Sequence, residues 1–251
     1  MQKTNEESDF YNNHSCYPTF TKPFVEEVLN IAKFKVGELV LDAGCGNGYW
    51  SRVLSNLGCR TIGIDISPVA VELAIQKSGK NQTFLIADLL KPLPFPKDHF
   101  DAIIIGVTLH HFPSTKDLKS VAKNIYPCLK NGGKVVVIEP NGSNPISRIS
   151  RVLGRFLVKF FKNISTENET FHSIGTYEKV FEGSGYSRVF SKTFQEKPEG
   201  EKLHPFIMFL VGIRYFLNDL TWKLLPNRYG GNEVVLVFKK SNSTSRSGCE
   251  S

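Results

Sequence analysis

Short unbroken runs of Val, Ile and Leu recur along the first 140 residues, separated by stretches whose apolar positions step by three and four. Leu39-Val40-Leu41 reads as a strand that ends at Asp42 and enters a glycine-rich turn. Arg60 to Asp65, Thr83 to Ala87, Phe100 to Ile105 and Lys134 to Glu139 read as four more, the last preceded by an Asn131-Gly132-Gly133 turn. Runs without a polar alternate position suit a parallel sheet buried on both faces. Helices are expected over Trp50 to Leu57, over Pro68 to Lys77 with Ser67 as cap, and over Lys116 to Leu129. Strand, helix, strand, repeated four times, predicts a doubly wound α/β sheet.

After residue 142 the rhythm breaks. Pro145 to Lys162 reads as a long helix, Thr176 to Glu182 as a shorter one before Gly183-Ser-Gly185, and Pro205 to Leu225 as a very apolar helix. Tyr186 to Phe194 and Glu233 to Phe238 supply two late strands. The full expectation is a Rossmann-like, mostly parallel seven-stranded sheet with an antiparallel last strand and a helical cap insertion. Its divisions are an N-terminal lid or helix at 1–33, a core at 34–142, and cap helices with a late strand at 143–228. A final strand at 229–240 and a polar, disordered tail at 241–251 complete it.

Charge sharpens this division. The net charge of +7 is concentrated: residues 1–142 hold 15 Lys/Arg against 14 Asp/Glu, whereas residues 143–228 hold 13 against 8. Arg148, Arg151, Arg155, Lys159 and Lys162 step along one helical face, with Ile149, Val152, Leu153, Phe156, Leu157 and Phe160 on the others. That pattern fits either a solvated stripe or an element that meets an anionic membrane from the side. The 251 residues hold 41% apolar and 22% charged residues, which excludes wholesale disorder. Cys16, Cys45, Cys59, Cys128 and Cys249 form no C-x-x-C pair, so neither a metal cluster nor a disulfide framework is expected. The first twenty residues carry Glu6, Glu7 and Asp9 and no apolar run, so no signal peptide is expected, and Leu203 to Ile213 is too short to span a bilayer, which needs roughly 20 residues. A cytoplasmic protein is expected, at most peripheral to the inner face of the membrane.

The chemistry lies in Val40-Leu-Asp-Ala-Gly-Cys-Gly-Asn-Gly48, three glycines at alternate positions between a strand and a helix. Glycine lets backbone turn sharply and approach a ligand closely, with helix N–H groups facing the same space. Three acids stand in register with it. Asp65 ends the second strand, 17 residues beyond Gly48, where a carboxylate can accept both hydroxyls of a ribose. Asp88 follows the third strand, poised for an exocyclic amine, and Asp42 precedes the loop, where it can meet an ammonium directly or through water.

On these residues the sequence resembles the class I S-adenosylmethionine-dependent methyltransferases. The likeness runs from about Phe34 to Asn141: Val40 to Gly48, Gly63-Ile-Asp65-Ile-Ser67, Ala87-Asp88-Leu89, Phe100-Asp101 through His110-His111-Phe112, and Leu129 to Gly133 through Glu139-Pro140-Asn141. Within them it is most similar to the small-molecule and lipid branch, methyltransferase type 11, with the quinone and sterol enzymes. The resemblance implies S-adenosyl-L-methionine as cofactor, with Asp42, Ala43, Gly44 and Gly46 at its methionine part. It implies Asp65 at the ribose, Ile66, Asp88 and Leu89 at the adenine, and backbone of Gly106 and Val107 at the methionyl end.

Methyl transfer asks mainly for alignment and exclusion of water, with a base where the acceptor must lose a proton. His110 and His111 are the candidate bases; Glu139, at the end of the fifth strand, is a candidate substrate ligand or a loop cap. Tyr11, in an aromatic N-terminal segment that related enzymes fold over the cofactor, is a candidate for lining the pocket. The expected substrate is small, hydrophobic or lipid-linked, and the oligomeric state is open. No Asn-Pro-Pro-Tyr-type motif for a flipped base is present, so no nucleic-acid partner is expected. A dinucleotide-binding oxidoreductase and a non-catalytic cofactor-binding subunit stay open, although the Gly-x-Gly-x-Gly spacing departs from the dinucleotide pattern.

Overall fold

The computed structural model describes residues 20–146, 148–149, 170–196, 226 and 229–241, with 213, 216–217, 219–220 and 222–224 of the intervening segment. Strands β1 (Leu39–Ala43), β2 (Arg60–Asp65), β3 (Gln82–Ile86), β4 (Phe100–Gly106) and β5 (Leu129–Pro140) pair in parallel. With β6 (Tyr186–Phe194) and β7 (Glu233–Lys240) they form a seven-stranded sheet in the order β3-β2-β1-β4-β5-β7-β6. Strand β7 runs antiparallel to both its neighbours, as expected of the last strand. The order reverses between β1 and β4, which opens a crevice at their carboxyl ends where such sheets bind ligands.

Alternation along the buried strands divides the core in two. Leu41, Ile103, Val135 and Val137 face helices α4 (Thr115–Ile125) and α5 (Ile174–Glu182), meeting Leu118, Val121, Tyr177 and Phe181. Val40, Ile104, Val136 and Ile138 face α1 (Lys22–Ala32) and α2 (Tyr49–Asn56), meeting Phe24, Val28, Trp50 and Leu54. Helix α3 (Pro68–Gln76) starts as its sequence demands, with Pro68 in the first turn and Ser67 Oγ accepting from the Ala70 N–H.

The crossover from β3 to β4 contains no helix, because prolines at 92, 94 and 96 forbid one. Two boundaries differ from expectation. Helix α4 stops at Ile125 rather than Leu129, since Pro127 removes an amide donor. Residues from Leu129 onward already belong to β5, whose Asn131-Gly132-Gly133 turn is absorbed as an irregularity opposite Phe100 and Ala102. Of the two expected cap helices, residues 145–146 and 148–149 of the first and scattered residues of the second are helical; the remainder lies outside the described residues.

Two excursions rise from the same end of the sheet, and each is tied at its neck. After β5 the chain leaves through residues 141–146 and is back by Thr170; the Ile174 N–H donates to Ser143 Oγ at 3.2 Å. After β6 it leaves at Glu196 and returns at Asn232; the Glu196 N–H donates to Asn232 Oδ1 at 2.7 Å, and Asn232 Nδ2 donates to the Glu196 carbonyl at 2.9 Å. Asn141 and Asn144 bind the carbonyls of Gly230 and Gly231 and join the two necks. The Glu196 carboxylate also accepts from the Thr21 N–H (2.5 Å) and hydroxyl (2.9 Å), supplying the N-terminal cap that α1 lacks from its own side chains. No helix among the described residues is long and apolar enough to cross a membrane.

Candidate functional site

The glycine loop leaves the carboxyl end of β1 in a conformation that needs its glycines. Gly44, Gly46 and Gly48 have φ of +79°, +51° and +78°, the left-handed region that side chains disfavour. At Gly44 space is as restrictive as torsion: a Cβ there would lie 2.2 Å from Thr108 Cγ2. The Gly44 and Cys45 N–H groups both donate to the Ile64 carbonyl, which fastens the loop to β2. Beneath it Asp42, 1% exposed, accepts at Oδ2 from the Ser51 N–H (2.9 Å) and hydroxyl (2.7 Å) near the start of α2. Burial raises its carboxyl to a pKa of about 6, against the pull of those hydrogen bonds.

Asp65 closes the loop from the side. Its Oδ2 accepts from the Gly46 N–H and its Oδ1 from the Ser67 N–H, both at 2.9 Å. Burial pushes its carboxyl above the ordinary carboxylate range. A carboxylate has about four acceptor positions, so the amide donors around Asp65 leave it capacity to accept from a ribose hydroxyl. Beside it Ile66 leaves 41% of its surface exposed and Ile86, opposite Asp65 in register, 59%. An apolar face next to a buried acceptor carboxylate suits an adenosine, whose ribose hydroxyls donate and whose base packs on apolar surface. Asp88 lies two residues beyond the end of β3; its Oδ1 accepts from the Leu90 N–H at 2.9 Å while Oδ2 lies 3.5 Å from Lys91 Nζ. The Leu89 carbonyl accepts from Asn124 Nδ2 at 2.9 Å, which holds that turn against α4. The residues present therefore fit S-adenosylmethionine.

The end of β4 forms the opposite wall. Val107 adopts φ +56°, rare for a β-branched residue, and its N–H donates to the Ile138 carbonyl at 2.8 Å. Gly106 before it abuts Trp50, where a Cβ would lie 2.4 Å from the indole Nε1. The Thr108 hydroxyl lies 3.1 Å from the carbonyls of both Gly44 and Gly106, linking this turn to the glycine loop. Behind it Glu139 has no exposed surface. Its Oε1 accepts from the N–H groups of Thr108 (2.6 Å) and Leu109 (2.5 Å), and its Oε2 lies 2.9 Å from His110 Nδ1. Both oxygens thus serve the loop, so Glu139 does not form a contact surface for substrate; its buried position at the end of β5 turns it toward the β4 loop.

His110 and His111 stand together, ring centroids 4.1 Å apart, on a single 3-10 turn over Leu109–His111. Phe171 packs edge-on to His110 at 5.5 Å, and the Thr170 N–H donates to the His110 carbonyl. Burial, and next the neighbouring His110, lowers the His111 pKa to about 3, so that ring stays neutral at physiological pH.

Topology thus brings Asp42 to Gly48, Asp65 and Ile66, Asp88 and Leu89, Gly106 and Val107, and the histidine pair to the carboxyl ends of β1 to β4. Tyr11 lies outside the described residues, as do Arg151, Arg155, Lys159 and Lys162 of the basic stripe; Arg148 is exposed. The sequence gives no periodic signal for Thr108, which binds the two loops together, nor for the return of residues 170–172 across the histidines. His172 fixes that return, its Nε2 lying 2.8 Å from the Phe112 carbonyl.

Comparison with known proteins places the same region. A methyltransferase domain family matches residues 41–137. The chain is 29% identical over 192 residues to a demethylmenaquinone methyltransferase of Oceanobacillus iheyensis, covering 69% of this chain and 79% of that one. It is 32% identical over 173 residues to the enzyme of the same name from Lactococcus lactis, covering 61% and 67%. A solved SAM-dependent methyltransferase from Archaeoglobus fulgidus shares the fold, with a TM-score of 0.62 at 19% identity over 88% of this chain and 95% of that one.

Proposed function

This chain belongs to the S-adenosylmethionine-dependent methyltransferases, and from that membership we propose that it methylates an apolar, quinone-like acceptor. The observation that carries the acceptor class is the likeness to two demethylmenaquinone methyltransferases over most of their length. An open apolar groove of about 510 Å³ supports it, lined by Ser143, Pro145, Arg148, Ile149 and Tyr229 beside the carboxyl end of β5.

S-adenosylmethionine supplies a methyl group already activated on a sulfonium, so the chain's own work is alignment, exclusion of water and handling of a proton. Asp65 holds the ribose, Ile66 packs on the adenine, and Asp88 with Leu89 reads its amine. Ala43, Gly44 and Gly46 carry the methionine part, with Asp42 contributing charge from beneath and Gly106 and Val107 facing the methionyl end. The histidine pair stands at the transfer end, where a neutral imidazole can take the proton the acceptor loses. The basic stripe beginning at Arg148 rests on an anionic bilayer, from which an acceptor scarce in water is collected.

Incubation with methyl-labelled cofactor and demethylated menaquinone in mixed micelles tests the proposal, with soluble phenols in parallel. Label should appear in the quinone. Transfer to the soluble phenols alone overturns the acceptor class.

A further inference from the structure

Resting on the reading of this site as a methyl-transfer centre, the geometry points to Glu139 as a positioning residue that fixes His110 as the single proton acceptor. We propose that the Glu139 carboxylate holds His110 with its proton on Nδ1, leaving Nε2 as the basic nitrogen that receives the acceptor's proton. Three donors converge on this one carboxylate: the Thr108 and Leu109 amides at Oε1, and His110 Nδ1 at Oε2, 2.9 Å away. A carboxylate only accepts hydrogen bonds, so Nδ1 carries the hydrogen, and in the neutral ring the lone pair is then on Nε2. The same anion then balances the positive charge that the ring gains when Nε2 takes a proton.

Burial makes the arrangement specific. Glu139 has no exposed surface and His110 only 4%, so water competes little for either hydrogen bond. Among the described residues, the titratable group facing His110 besides Glu139 is His111, its ring tilted by 39° at 4.1 Å; Phe171 packs edge-on at 5.5 Å. Among the described residues no carboxylate contacts His111, and its basicity is low. Of two adjacent histidines that the sequence leaves equivalent, the fold couples one to an anion. Glu139 also fastens the Thr108 and Leu109 amides next to the strained Val107, so a single side chain sets both the turn and the tautomer.

The substitution that separates these roles is Glu139→Gln. Its amide keeps one oxygen for the Thr108 and Leu109 N–H groups but presents NH2 to Nδ1, which forces the hydrogen of His110 onto Nε2. Nitrogen-15 NMR of the labelled full chain at pH 8 should show His110 as the Nδ1–H tautomer in the wild type and as Nε2–H in the variant. With labelled cofactor and demethylated menaquinone, kcat should fall by about 10²–10⁴-fold. The dissociation constant for S-adenosylhomocysteine should stay within about threefold, and Glu139→Asp should recover part of the loss. A wild-type Nε2–H tautomer, or full turnover by a folded Glu139→Gln, overturns the assignment. Should Glu139→Gln not fold, the wild-type tautomer and the turnover of His110→Asn against His111→Asn decide: the first must be the larger loss. A wild type that leaves the quinone unmethylated removes the proposed acceptor, while the tautomer still judges Glu139.

Discussion

Asp42→Asn isolates the cost of keeping a carboxylate beneath the glycine loop. Asp42 is 1% exposed, and burial lifts its pKa from 3.8 to about 6 in the folded chain. Between about pH 4 and pH 6 the folded protein therefore holds a proton that the unfolded chain has released. Stability must fall as pH rises through that window, and the loss is complete above it. At about 1.4 kcal/mol for each pH unit between the two values, the difference amounts to about 3 kcal/mol. Urea unfolding of the cofactor-free protein, at half-unit steps from pH 4 to pH 7.5, measures it. The stability of the wild type minus that of Asp42→Asn should decline by about 3 kcal/mol across the range. Subtraction is needed because His111 works in the opposite sense: its folded value of about 3 lies below the ordinary 6.5, so its neutrality costs stability as pH falls through that interval. Two parallel curves would refute the account of Asp42 as a desolvated acid.

If Asp65 holds the ribose as proposed, Asp65→Ala should weaken S-adenosylhomocysteine binding tenfold or more in calorimetry, at about 1.5–3 kcal/mol for hydrogen bonds to a charged group. An unchanged affinity would rule Asp65 out of the site. Gly44→Ala combines a left-handed φ, costing about 1–2 kcal/mol, with a Cβ 2.2 Å from Thr108 Cγ2, so its melting temperature should drop and its cofactor affinity with it; a melt like that of the wild type would contradict the close approach of the two loops. Charge reversal at Arg151, Arg155 and Lys159 should abolish co-sedimentation with anionic vesicles at low salt, where each cation contributes about 1 kcal/mol, and leave S-adenosylhomocysteine binding intact. A wild type that ignores such vesicles makes the stripe a solvated face.

What the sequence discloses is local, and what it hides is long-range. The glycine loop, Ser67 with Pro68 and the apolar strands each announce themselves within a few residues, because torsional and capping requirements act over one turn. Asp65 was legible for the same reason, since it must end a strand to reach the loop. Glu139 shows the limit. Its place at a strand end is evident, but its partners are 29 to 31 residues away, and only the pairing of β4 with β5 decides that it faces inward. Likewise Glu196 caps a helix 175 residues distant. The β3–β4 connection was readable from its prolines, and no helix was expected between residues 87 and 100.

The tied necks of the two excursions have a consequence for how this architecture can change. Each neck is held by the body of the protein, through Ser143 and Ile174 in one case and Glu196 and Asn232 in the other. The ends of whatever lies between are thus already brought together, and lengthening it adds an entropy that grows only with the logarithm of its size, about 0.6 kcal/mol for each doubling. Transplanting residues 145–169 or 197–229 between related chains, with the asparagines and Glu196 retained, should carry acceptor preference along and leave the transfer machinery below unaltered.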